Sequence, residues 1–265
     1  MKNGWKIYVF EHDPYSSELA ESLQLVFGLE RRSVNVTYGD NRKQIINKVK
    51  KAINGDHERI LTVLGHGYAH KMTYGLCKHV ADSRSDGYVY YHFDQHGDIG
   101  HIWTRITHGG FVARLFNDTK AQDVVFSDEP DFNSRALARG LDVDDTGASL
   151  MTNKNVPDAY CSFDLDCMRY EEIKTGWPGG TMHSIALLNE VENIKTKKDI
   201  ISADVLGYSG ERDAKSHVMY AVLMETLIGG GRVDEFKSLH EIAKNGRIDY
   251  QDMLKEFKSI GSCGR

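Results

Sequence analysis

Three groups of acidic and imidazole side chains stand out in this 265-residue chain. In "YVYYHFDQHGD" an aromatic, strand-like run ends in Asp94, His96 and Asp98 at alternate positions. A strand repeats its side-chain direction every second residue, so all three groups can converge on one point. Carboxylates placed together repel, and a cation relieves that repulsion. A second pair, Asp164 and Asp166, sits in "CSFDLDC", and His66 and His70 follow Gly65 after "RILTVL". His70, Asp94, His96, Asp98, Asp164 and Asp166 offer too many ligands for one zinc ion with an open position. They suit two adjacent divalent ions sharing carboxylates. Oxygen-rich ligation with some imidazole favours manganese over zinc. Each group alone has an ordinary structural explanation, as a solvated strand end, a helix cap or a core histidine. Their joint occurrence, each behind an apolar run, favours metal.

The elements that must position these residues alternate along the chain. "KIYVFEH" reads as a strand, and "PYSSELAESLQLVFG" as a helix with proline in its first turn and glycine at its end. "SVNVTYG" reads as a strand and "NRKQIINKVKKAI" as an amphipathic helix. "RILTVLG" is a buried strand, followed by a helix after His70 to about Ser83. "YVYYHFD", "DVVFSDE", "AYCSFDLD" and "DIISADVLGY" are further strands. "AKSHVMYAVLMETLIGGG" is a long helix stopped by glycine, and two shorter helical stretches follow. This alternation predicts one α/β domain over residues 1–265 with a mainly parallel sheet. In such sheets the site lies beyond the carboxyl ends of the strands, where the unusual residues of this chain concentrate.

Composition narrows the function classes. Hydrophobic residues make up 40% and charged residues 27%, as in an ordinary globular enzyme. A net charge of -5 gives no basic footprint for nucleic acid. The start, "MKNGWKIYVFEHDPYSS", is expected not to be a signal peptide, and no apolar run reaches the ~18 residues of a membrane span. The four cysteines show no pairing rhythm and no C-x-x-C, so reduced thiols and a cytoplasmic location are expected.

The motifs resemble those of the ureohydrolase family, the arginases and agmatinases. "FDQHGD" resembles its Asp-Ala-His-x-Asp motif and "SFDLDC" its Ser-Phe-Asp-x-Asp motif, with "GWPGGT" standing where the family has a Pro-Gly-Gly stretch. The first motif, Gly-Gly-Asp-His-Ser, is degraded to "VLGHGYAHKMTYG". There His70 matches the metal-binding histidine better, with His66 as the other choice. The resemblance spans residues 5 to 230. It implies a three-layer α-β-α arginase–deacetylase-like fold and two Mn2+ per chain. It also implies hydrolysis of a guanidinium to urea and an amine by metal-activated water, in which Asp98 takes part. His108, in "ITHGGF", stands where the family carries a proton-shuttling histidine, and its intrinsic pKa suits that role.

Two departures bear on substrate. The family aligns the guanidinium with a glutamate after a late strand. Ungapped comparison of "ADVLGYSGERD" puts Gly207 there, and Glu211 is then the expected substrate-aligning carboxylate, beside His66. Arginases of free arginine also follow their second motif with a Thr/Ser/Gly/Asn segment that clamps the amino-acid head group. Here "IGHIWTRI" lacks it. Together with the Glu/Asp-His start in "IYVFEHD", this resembles peptide arginases, which convert arginine to ornithine in ribosomally made precursor peptides. The alternatives are a small-molecule ureohydrolase, a single-zinc deacetylase of the same fold, and a non-catalytic peptide-binding module. Oligomeric state is left open.

Overall fold

A computed structural model of the chain describes residues 4–53, 55, 59–83, 87–98, 106–107, 110–119, 121–127, 149–151, 156–177 and 179–262. Its strands are β1 (Trp5–Glu11), β2 (Leu29–Ser33), β3 (Arg59–Gly65), β4 (Tyr88–Phe93), β5 (Ala121–Ser127), β6 (Ser149–Met151), β7 (Asp158–Asp164) and β8 (Asp199–Leu206). They form one sheet in the order β2-β1-β3-β8-β7-β4-β5-β6. Every pairing is parallel except β5 with β6, which is antiparallel.

Helices cover both faces, as a parallel sheet requires. The strands alternate accordingly. Ile7, Val9, Leu61, Val63, Cys161, Phe163, Ala203 and Val205 pack on one side. That side carries α1 (Pro14–Leu23), α5 (Ser184–Lys197), α6 (Ala214–Ile228), α7 (Val233–Lys244) and α8 (Tyr250–Ser262). Tyr8, Phe10, Ile60, Leu64, Tyr90 and Tyr160 pack on the other. There they meet α2 (Arg42–Ala52), α3 (Lys71–Ser83) and α4 (Val112–Asp118). Helix α6 lies between the sheet and the outer helices, and every residue of it except Lys215 is buried. Gly229 ends it in the left-handed conformation at φ 66, where a side chain would be strained.

The second strand lies earlier than the sequence pattern predicts. It is Leu29–Ser33, paired from Ile7↔Leu29 to Glu11↔Ser33. The apolar alternation of Val34 and Val36 marks buried chain beyond the ladder, where only Val34 N–H still reaches the Glu11 carbonyl, at 2.9 Å. As an edge strand, β2 carries charge outward, and Arg31 forks onto Glu11 with two 2.7 Å hydrogen bonds. Among the described residues no helix is long and apolar enough to cross a membrane.

Candidate metal centre

Three of the four central strands, β3, β7 and β4, deliver the candidate ligands at their carboxyl ends, with β8 between β3 and β7. After β3, a 3-10 turn over Gly67–His70 swings the buried His70 over the sheet edge. The His66 side chain caps that turn, its Nδ1 accepting from Tyr68 N–H at 3.2 Å. His12, at the end of β1, ties the same region down. Its Nε2–H donates to the Leu64 carbonyl at 2.5 Å, and its Nδ1 lies 2.9 Å from the Tyr68 hydroxyl.

Strands β4 and β7 are in register at Phe93↔Phe163, so Asp94 and Asp164 emerge side by side. Each then leads into a tight turn. His96 N–H donates to Asp94 Oδ1 at 2.6 Å, and Asp98 adopts a left-handed φ of 46. Beyond Asp164 a short 3-10 turn carries Asp166, whose Oδ1 accepts from Gln95 N–H at 3.1 Å. The expectation that Asp94, His96 and Asp98 converge through strand alternation is therefore corrected. The strand ends at Phe93, and a bend gathers the three.

Asp94 is the centre of the group. Its Oδ2 lies 3.2 Å from His70 Nδ1, and its Oδ1 lies 3.2 Å from His96 Nδ1. His70 Nδ1 is also 2.9 Å from Asp98 Oδ2 and 3.6 Å from Asp164 Oδ2. His96 Nδ1 is 3.1 Å from Asp166 Oδ2. The structure thus brings together all six residues whose types and spacing suggested ligation. Two donor sets can each hold an ion: His70, His92 and Asp94, and then Asp94, His96 and Asp166. His92 was not foreseen. Its Nε2–H donates to the His96 carbonyl at 2.9 Å, and its Nδ1 faces the Tyr90 hydroxyl at 3.2 Å. With both nitrogens engaged it braces the bend rather than ligating, and Asp98 is the better third partner for His70.

The electrostatics ask for cations. Asp98 Oδ2 and Asp166 Oδ2 are fully buried carboxylate oxygens without a well-aligned hydrogen bond. Burial, with the neighbouring Asp94 charge, pushes the Asp98 carboxyl up to about 7. Burial pushes Asp166 up to about 6. Asp164 is raised well above the carboxylate range by burial and by the charges of Asp166 and Asp94. Burial disfavours charge on His70, but Asp98 and Asp94 outweigh it and hold the imidazole well above its ordinary value. Asp166 and Asp94 together push His96 up to about 11. Protons shared among these groups hold the cluster together in the absence of metal, and divalent ions would take their place. Orphaned buried oxygens and a mixed carboxylate–imidazole donor set fit two such ions.

A supporting chain fixes His70. Ser162 Oγ donates to Asp204 Oδ1 at 2.7 Å, so its oxygen is left to accept from His70 Nε2–H at 3.0 Å. That keeps a proton on Nε2 and aims Nδ1 at the cluster, where it is protonated without metal and would offer its lone pair to an ion. Tyr160 donates to Asp204 Oδ2 at 2.5 Å. The sequence signal was present, since Ser162 and Asp204 are polar residues inside apolar strands.

Gly207 follows directly on Leu206, the partner of Asp164 in the β7–β8 ladder. Its φ is +103, and a Cβ there would lie 2.6 Å from Asp164 Oδ1. Glu211 does not fill the gap. Its side chain is 66% exposed and its Oε2 accepts from Lys174 Nζ at 2.8 Å. The expectation of a substrate-aligning Glu211 is corrected, because the turn around its left-handed φ of 75 directs the carboxylate to Lys174 at the surface. His66 stands beside Gly176 rather than in the ligand group, with burial pushing its imidazole below the ordinary value. His108 lies outside the described residues.

No protein-family model matches the sequence, and no curated protein matches it. Solved structures do match. An arginase from Bacillus cereus aligns with a TM-score of 0.59 at 14% identity, over 85% of this chain and 97% of that one. A proclavaminate amidino hydrolase from Streptomyces clavuligerus aligns at 0.54 and 15% identity, over 91% of both chains. A formimidoylglutamase from Bacillus subtilis aligns at 0.57 and 13% identity, over 85% of this chain and 86% of that one. The chain therefore has the three-layer α-β-α fold of the arginases and related amidino hydrolases.

Proposed function

We propose that the protein is a dinuclear manganese hydrolase that cleaves the guanidinium of arginine side chains within a peptide, releasing urea and leaving ornithine. The observation that carries this reading is Asp94. Its two carboxylate oxygens face two separate imidazoles, His70 and His96, so one residue can join two ion sites. His70, Asp98 and Asp164 would hold one ion, and His96 and Asp166 the other, with Asp94 shared. When bound, two divalent ions supply Lewis acidity and lower the pKa of water enough for hydrolysis at neutral pH.

The remaining roles fall to the chain. Asp98, whose Oδ2 lies 2.9 Å from His70 Nδ1, would take the proton of the attacking water and pass it to the departing amine. His108, by its place in the sequence, would exchange that proton with solvent. Solved proteins of this fold include an arginase and a formimidoylglutamase, so amidino C–N hydrolysis is chemistry that the fold supports. The peptide substrate rests on the segment after Asp98, "IGHIWTRI", where Gly100 and Thr104 are the only residues of the Thr/Ser/Gly/Asn kind that would clamp a free amino-acid head group. A buried clamp would reject amide-linked arginine, because its polar groups would be left unpaired.

The test is a side-by-side assay of the manganese-loaded protein on free arginine, agmatine and an arginine-containing peptide. The peptide should lose the mass of CH2N2 per arginine, with urea in equal amount and the highest kcat/KM of the three. Faster turnover of free arginine or agmatine would replace this reading with a small-molecule ureohydrolase.

A further inference from the structure

Among the described residues, position 207 is a glycine and Glu211 is engaged by Lys174, so neither offers a carboxylate to orient a guanidinium against the metal centre. The rim of that centre is aromatic instead. Thr175 bridges antiparallel to Tyr208, and Gly176 N–H donates to the Gly207 carbonyl at 3.3 Å. This folds residues 175–177 along the chain that follows β8. Trp177 thereby arrives beside the ligands. A Cβ on Gly67 would meet Trp177 Nε1 at 3.0 Å and Asp164 Oδ2 at 3.3 Å, so the indole edge and a candidate ligand share the space over that glycine. The indole also meets the His96 ring edge-on, with centroids 6.5 Å apart. Trp177 is nevertheless 41% exposed.

The wall continues outward. The His66 Nε2 would lie 2.7 Å from a Cβ on Gly176, so imidazole and backbone are in close contact. Tyr15, itself 39% exposed, stacks on His66 with centroids 5.8 Å apart and an interplanar angle of 28°. A Cβ at 67 would crowd the indole, and one at 176 would displace the His66 ring. A side chain at either position would push the rings away from the centre.

On the reading that the substrate is an arginine side chain, we infer that Trp177 is its specificity-determining residue, taking the guanidinium against the indole at the rim of the metal centre, with His66 and Tyr15 extending the surface along which the substrate enters. A planar, weakly hydrated guanidinium stacks well on indole, and tryptophan is the best aromatic partner for a cation. Such a surface also tolerates a peptide backbone, because it grips the side chain alone.

The experiment compares manganese-loaded wild type, Trp177→Phe and Trp177→Ala. Two measurements are made on each: urea release from an arginine peptide, and anisotropy binding of the same peptide carrying a dye. A control peptide has glutamine in place of arginine. Trp177→Ala should raise KM and the peptide Kd about tenfold, the scale of a desolvated cation–π contact, with kcat and metal content little changed. Trp177→Phe should recover most of the loss. The control should bind weakly to all three proteins. Equal binding of the arginine peptide by wild type and Trp177→Ala would overturn the inference. So would loss of metal in Trp177→Ala that Trp177→Phe does not repair, since that is a structural role. If wild type releases no urea but still prefers the arginine peptide through Trp177, the hydrolase reading fails and the rim assignment stands.

Discussion

Gly207 stands against Asp164, and a Cβ at position 207 would lie only 2.6 Å from Asp164 Oδ1 and 3.0 Å from Leu165 N. The glycine also holds a φ of +103, which L side chains rarely adopt. Gly207→Ala should therefore lower thermal stability by about 1–3 kcal/mol and displace a metal ligand. The check is a melting curve together with metal content after dialysis. Unchanged values for both would contradict the placement of Asp164.

Ser162 and Asp204 act on the centre through His70. Ser162→Ala removes the acceptor for His70 Nε2–H, and Asp204→Asn weakens the hold on Ser162. Either variant should weaken manganese binding by about 10–100-fold while the fold persists. Competition with a fluorescent chelator measures this. Equal affinity in both variants and wild type would remove the supporting chain from the account.

Metal-free protein should lose stability as pH rises. Asp98 and Asp166 have folded values raised from 3.8 to about 7 and about 6. A group raised in the folded state stabilises most below its unfolded value and loses that contribution as pH climbs through the folded one. His96, raised to about 11, acts in the same direction above 6.5. Asp94 is lowered, so its own contribution disappears only on strong acidification. The Tm in chelator should fall between about pH 6.5 and pH 8, where the lowered histidines His92 and His217 are already neutral while Asp98 and His96 still titrate. Manganese should flatten that fall and release protons into weakly buffered dye. A metal-free Tm that rises over the same span would contradict the shared-proton cluster.

His108→Asn should keep both metals and slow turnover by about 10²–10⁴-fold, the usual range for a general acid–base group. Single-turnover urea release with parallel metal analysis decides it. Unchanged turnover would return His108 to an ordinary turn residue.

Much of the centre was legible in the sequence because the ligands lie within about five residues of the ends of three apolar strands. Parallel register then does the gathering, as Phe93↔Phe163 does for Asp94 and Asp164. The local geometry was less legible. A bend, not strand alternation, turns His96 and Asp98 inward, and the left-handed φ at Asp98 is one that aspartate tolerates but that its type alone does not dictate. Helix α5 went unread, although Leu187, Leu188, Val191 and Ile194 recur at helical spacing. The valines at 34 and 36 imitate a strand because they are buried, while the ladder itself is the charged segment before them. Glu211 and Trp177 could not be placed from spacing at all. One is drawn out by Lys174, and the other is brought in by pairing between residues far apart in the chain.

The central claim is that Asp94 joins two ions between His70 and His96. The most direct measurement is manganese stoichiometry with electron paramagnetic resonance on the reconstituted protein. The reconstituted protein should hold two Mn2+ per chain with an exchange-coupled spectrum, and Asp94→Asn should uncouple the pair or lose an ion. A single, uncoupled ion at saturation, or a coupled pair that survives Asp94→Asn unchanged, would contradict it.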